Sequence, residues 1–168
     1  FWMMFGLGKT SLAQMVYNNN HVQDHFGKRF WITILEDFNL MRILNEMVES
    51  LTRKNLQLCN VETLIMTIKD ELGSKKFLLV LDDVWIENQN EWYKVQNCLM
   101  GIFRTGSRIM INTRKKNVAE ILGSSIQWLR TLSEEAGWEL FKQKAFANGG
   151  EVVSEKFVIG KRILKKCG

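Results

Sequence analysis

Six residues near the start of the chain, Gly6-Leu7-Gly8-Lys9-Thr10-Ser11, have the types and spacing needed to hold a phosphate. A glycine-rich turn aims several backbone N–H groups at one point, and a helix starting behind it adds the positive end of its dipole. In such a turn Lys9 would reach the β- and γ-phosphates, and the Thr10 hydroxyl would ligate Mg2+. A second group is Phe77-Leu78-Leu79-Val80-Leu81-Asp82-Asp83. An apolar run ending in acids puts carboxylates at the carboxyl end of a buried strand, where open α/β sheets bind ligands. There Asp82 would hold the metal, and Asp83 would orient or deprotonate an attacking water. A third candidate is Arg114, placed after a strand-like run to contact a γ-phosphate. Taken singly, each has a bland reading: a common tripeptide, a strand ending in a solvated turn, a surface arginine. In this order, on alternating strand and helix patterns, they describe a nucleoside triphosphate site.

Other groupings are weaker. His21 and His25 are four apart and could share a helix face, but no cysteine or acid cluster completes a metal set. Trp31, Trp85, Trp92, Trp128 and Trp138 fit core or interface packing better than base stacking, because no basic groove pattern surrounds them. The adjacent acids Glu36-Asp37 and Glu134-Glu135 give no pair across a cleft of the kind glycoside hydrolysis uses. A GTPase would carry an NKxD guanine-reading motif, and the sequence has none.

The elements that must position these residues follow from periodicity. Gly8 leads into a candidate helix over Lys9–Tyr17, and Arg29–Leu35 is β-rich. Leu40, Ile43, Leu44, Met47, Val48 and Leu51 fall on one face of an amphipathic helix; Val61, Leu64, Ile65, Ile68 and Leu72 repeat the pattern until Gly73 stops it. Phe77–Leu81 has the unbroken apolar character of a central parallel strand. Arg108–Asn112 follows a turn at Gly106-Ser107, and Ile126–Leu129 reads as a last edge strand. Ser133 offers a helix N-cap with Glu134 and Glu135 in the first turn, and Leu140, Phe141 and Phe146 are that helix's expected buried residues. A final helix runs through Ile159, Ile163 and Leu164. The fold class is therefore α/β with a mostly parallel sheet. The change from mixed strands and helices to helices alone near Leu129–Ser133 sets the expected boundary. On this reading 1–130 is a nucleotide-binding domain and 131–168 the beginning of a helical region.

Composition bounds the rest. The 168 residues are 46% hydrophobic and 24% charged, which is globular rather than disordered. Cys59, Cys98 and Cys167 have no regular spacing, as suits reduced thiols in the cytoplasm better than a disulfide frame. The net charge of +5 is dispersed apart from Arg114–Lys116 and the tail cluster from Lys156 to Lys166, so no nucleic-acid surface is expected. No stretch approaches the roughly 20 apolar residues of a membrane span. The short opening Phe1–Phe5 has no basic flank for a signal core, and without an initiator Met the sequence is expected to begin mid-protein.

With those residues in place, the chain resembles the NB-ARC domain of plant nucleotide-binding leucine-rich-repeat resistance proteins. MMFGLGKTS at 3–11 is similar to the family's phosphate loop, and HFGKRFWITILEDFN at 25–39 to its next block. KKFLLVLDDVW at 75–85 resembles the acidic strand block, whose closing Trp85 is typical of the coiled-coil subgroup. GSRIMINTRKKNVA at 106–119 resembles the block with the sensor arginine; LRTLSEEAGWELFKQKAF at 129–146 and KRILKKCG at 161–168 resemble the start of the helical ARC region. The resemblance implies a three-layer P-loop NTPase fold, N-terminally truncated within 1–130, followed by a C-terminally truncated ARC subdomain over 131–168. It implies an ADP/ATP-binding, Mg2+-dependent switch with at most weak ATPase activity, coupled to coiled-coil and leucine-rich-repeat domains and able to oligomerise on activation. Three departures qualify it. Met3 and Phe5 stand where the family has glycine, which is expected to lower nucleotide affinity. The strand before the loop is missing or reduced to Phe1–Met4, so the isolated chain is expected to fold poorly. The sequence ends before the proline loop near the adenine and the histidine motif that reads ADP. The alternatives are a decayed, non-binding interaction module of the same family and an unrelated P-loop kinase or NTPase.

Overall fold

A computed structural model describes residues 8–34, 38–86, 88–122, 125–130, 132–145 and 158–162. The described residues divide into two compact units, Gly8–Trp128 and the residues from Leu129 onward.

In the first unit everything is hung on one strand. The strands β1 (Lys28–Thr33), β2 (Phe77–Asp82) and β3 (Arg108–Ile111) form a parallel sheet in the order β1-β2-β3. Phe30 pairs with Leu79 and Thr33 with Asp82 on one side of β2; Leu79 pairs with Ile109 on the other. All six residues of β2 are buried, as its unbroken apolar run requires. Successive side chains point to opposite faces of a strand. Phe77, Leu79 and Leu81 accordingly join the main core with Phe30 and Ile32 of β1. That core is filled by the helices α3 (Leu40–Thr52), α4 (Val61–Leu72) and α5 (Gln89–Ile102). Leu78 and Val80 point the other way, to a smaller cluster with Ala13 of α1 (Lys9–Tyr17), flanked by Val22 of α2 (Asn20–His25) and by Phe26. Helices on both faces of a parallel sheet make the three-layer α/β arrangement expected.

Local signals explain most helix ends. The side chains of Asn39, Asn60 and Asn88 accept hydrogen bonds from the N–H groups of Arg42, Thr63 and Asn90, capping α3, α4 and α5. Gly73 ends α4 at φ 57°, a backbone conformation suited to glycine. The helices α2, α5 and α6 (Lys116–Leu122) were not among the expected elements. α5 buries Trp92, Val95, Leu99 and Ile102, one narrow stripe between polar residues, while α2 has no fully buried residue.

The second unit contains α7 (Glu134–Ala145) and a helical turn at 158–162. Ser133 caps α7 as expected, its Oγ accepting from the Ala136 N–H at 3.2 Å. Trp138 and Phe141 stack with ring centroids 5.5 Å apart, and Gly160 lies against them so closely that a Cβ there would stand 2.7 Å from both rings.

Three expectations need correction. Residues 125–130 form no strand; a strand needs a neighbour's ladder, and none of the described residues pairs with them. Leu140 is 46% exposed, because two residues along a helix from Trp138 it points away from the side that meets Gly160. Phe141 is only half-buried. Phe1–Met4, Leu35, Phe146, Ile163 and Leu164 lie outside the described residues.

Candidate functional site

The parity that sends Leu78 and Val80 toward α1 sends Asp82 there too. The start of α1 meets it: the Thr10 hydroxyl donates to Asp82 Oδ1 at 3.0 Å, across 72 positions of sequence. Gly8 is the N-cap of α1, at φ 72°, with no side chain of its own to close the first turn. A Cβ on Gly8 would meet nothing within 4 Å, and the unpaired N–H groups of a helix's first turn are where an anion binds. Lys9 follows at 7% exposure. Burial is the main influence pulling its pKa below the ordinary lysine value; Arg114 pulls the same way, while Asp83 and Asp82 oppose them.

Around Asp82 the loop after β3 closes a polar network. Asn112, 1% exposed, donates from Nδ2 to Asp82 Oδ1 and accepts the Asp83 N–H on its own Oδ1 at 2.6 Å. Asp83 sits in the left-handed region at φ 60°, a conformation that costs a non-glycine residue on the order of 1 kcal/mol. Its carboxylate pairs with the Arg114 guanidinium at 2.9 Å. Arg114 and Lys115 also lie over the Trp85 ring, 5.6 Å and 5.1 Å from its centroid. Thr113 donates to the Val84 carbonyl at 2.7 Å, fixing the two loops together.

The structure thus brings Gly8, Lys9, Thr10, Asp82, Asp83 and Arg114 to one corner of the sheet. Ser11 is exposed on the first turn of α1, and Gly6 and Leu7 lie outside the described residues. Asn112 was missed as a site residue, although a polar residue ending an apolar strand beside Arg114 was a usable signal. Trp85 was read as packing; it also carries the two cations. His21 and His25 both lie on α2, where His25 stacks edge-on against Phe26. A cavity of about 260 Å³ opens elsewhere, between β1 and α3, lined by Trp31, Glu46 and Glu49 among others. Its Glu46 is already paired with Arg42.

That corner suits a metal-bound phosphate. A hydroxyl and a carboxylate, already in hydrogen-bond contact, are the hard oxygen donors Mg2+ takes. A buried lysine and an arginine supply positive charge for phosphate oxygens, and the helix start supplies N–H donors. The residue types present fit such a group.

Comparison with known proteins gives the family. The NB-ARC domain model matches residues 2–151. The chain is 38% identical over 167 residues to disease resistance protein RGA2 of Solanum bulbocastanum, an alignment covering 98% of this chain and 17% of that protein. It is 33% identical over 172 residues to disease resistance protein RPP13 of Arabidopsis thaliana, covering 98% of this chain and 20% of that protein. The chain therefore spans only about a fifth or less of the length of these relatives. It belongs to the NB-ARC family of nucleotide-binding domains.

Proposed function

We propose that this chain is the adenine-nucleotide switch of a plant immune receptor, exchanging ADP for ATP with Mg2+ and hydrolysing ATP slowly. The observation that carries the reading is the Thr10–Asp82 hydrogen bond of 3.0 Å, which joins a helix start to a buried strand tip. Mg2+ would supply charge neutralisation between the phosphates; Thr10 and Asp82 are the residues to hold it. Lys9 binds the β- and γ-phosphates. Gly8 and the first turn of α1 form the cradle with Gly6, Leu7 and Ser11. Asp83 orients or deprotonates the attacking water, and Arg114 contacts the γ-phosphate. A nucleotide can drive a switch only through different affinities for its two states, and the γ-phosphate is the natural source of that difference.

On the same reading residues 1–130 are the nucleotide-binding domain and 131–168 the opening of the ARC region. The partners are coiled-coil and leucine-rich-repeat domains of the same protein and, on activation, further copies of it. No helix among the described residues is long and apolar enough to cross a membrane. Cys59 and Cys98 are free thiols, in keeping with a cytoplasmic site of action.

Calorimetric titration of the intact protein with ADP tests this. Binding is expected in the parent, with a loss of roughly tenfold or more in Lys9→Ala, the scale of a hydrogen bond to a charged group. Asp82→Ala should remove the dependence on Mg2+. Affinity indifferent to Lys9→Ala would defeat the site, and a parent that binds no nucleotide would leave a non-binding interaction module as the function.

A further inference from the structure

Two carboxylates matter in the proposed site, and one uncharged side chain reaches both residues that carry them. Asn112 donates to the Asp82 carboxylate through Nδ2, while its Oδ1 accepts the main-chain N–H of Asp83 at 2.6 Å. Its own main chain is tied to the same segment: its N–H donates to the Leu81 carbonyl at 3.1 Å, and its carbonyl accepts from the Val84 N–H at 2.9 Å. Four hydrogen bonds from one buried residue thus grip Leu81, Asp82, Asp83 and Val84. The grip matters because Asp83 is left-handed at φ 60°, a conformation that needs holding, and its carboxylate is paired with Arg114. A carboxylate that accepts from both Thr10 and Asn112 on Oδ1 is held in one rotamer.

We infer that Asn112 is a positioning residue for metal-bound nucleotide: it fixes the Asp82 carboxylate toward the metal and the Asp83 backbone toward Arg114. The inference rests on the nucleotide-site reading above. The chemistry asks for an amide. Asp82 needs a donor and the Asp83 N–H needs an acceptor, and asparagine offers one of each on a short, rigid stem. Threonine or leucine could fill the space and not bridge the two. Partners that hydrogen-bond a metal-ligating carboxylate change metal affinity by roughly 10- to 100-fold when removed. The phosphate cradle, by contrast, is built from Gly8, Lys9 and the start of α1, none of which bonds Asn112 in the network above.

The test separates metal-free from metal-dependent binding in the intact protein. ADP is titrated in EDTA and again with Mg2+, using the parent, Asn112→Ala and Asn112→Asp. In EDTA both variants are expected to bind ADP like the parent. With Mg2+, Asn112→Ala should lose the metal-dependent gain by roughly 10- to 100-fold. Asn112→Asp keeps the shape and the acceptor. It removes the donor to Asp82 and places a third carboxylate beside Asp82 and Asp83, so it should lose the gain at neutral pH. Equal Mg2+ dependence in all three proteins would overturn the inference. So would a parallel loss of ADP binding in EDTA by both variants, because Asn112 would then serve folding alone. A parent that binds no ADP in either buffer would sink the nucleotide reading instead.

Discussion

The two faces of the sheet make the same strand do different work. Toward α3, α4 and α5, β2 presents Phe77, Leu79 and Leu81, every one fully buried in an apolar core. Toward α1 it presents Leu78 and Val80, whose cluster includes, among the described residues, one further buried residue, Ala13, and then Asp82. The first face is closed by aliphatic and aromatic packing along its whole length. The second gives out into Lys9, Asp82 and Asn112, buried polar groups whose hydrogen bonds and charges answer one another. Alternation by one residue therefore separates what holds the domain together from what can bind a ligand.

The sharpest way to break that division is Leu79→Ala. Leu79 is 0% exposed in the large core, and emptying such a site costs about 2–5 kcal/mol. Denaturant unfolding of the intact protein should show that loss, while the fraction that remains folded keeps its ADP affinity. A fall in affinity without a fall in stability would show that the faces are not separate.

A smaller effect is expected from Arg114→Gln, on the chemical side. Arg114 is paired with Asp83 at 2.9 Å, so a γ-phosphate has to compete with that carboxylate for the guanidinium. Hydrogen bonds to charged groups contribute about 1.5–3 kcal/mol. Preference for ATP over ADP should fall by roughly tenfold at the lower end of that range, with ADP affinity unchanged. Equal weakening of both nucleotides would place Arg114 outside γ-phosphate recognition.

Much of this was legible before any coordinates. The unbroken apolar run from Phe77 to Leu81 identified the central strand, and α3 and α4 followed from their stripes, with Gly73 marking an end. Lys9, Thr10, Asp82 and Asp83 stood out because phosphate and metal chemistry leave few residue types to choose from, and the fold brings them together. What stayed hidden depends on distance in sequence. Asn112 bonds residues about 30 positions away; its place at a strand end beside Arg114 could flag it, but only the fold shows which residues it bridges. The stripe Trp92, Val95, Leu99 and Ile102 of α5 was there to be read, but it is thin and lies among polar residues. Ile126–Leu129 failed as a strand for the opposite reason: local β-propensity cannot supply a partner.

The smallest expected effect concerns the cost of keeping chemistry on the second face. Lys9 holds its charge at 7% exposure, and burial draws its pKa below the ordinary value of 10.5. A lysine with a lowered folded-state pKa disfavours folding while it stays protonated. Between the lowered value and 10.5 the unfolded chain binds more protons, so this group's contribution to stability improves as pH rises through that window. Lys9→Met keeps most of the stem and removes the charge. Without nucleotide at neutral pH, the variant should melt a few degrees higher than the parent at most, while losing ADP binding. The difference should narrow as the pH approaches 10.5, because the parent then sheds the same proton. A variant that melts lower at neutral pH would mean that Asp82, Asp83 and their neighbours already compensate the lysine fully. The second face would then be as settled without its ligand as the first.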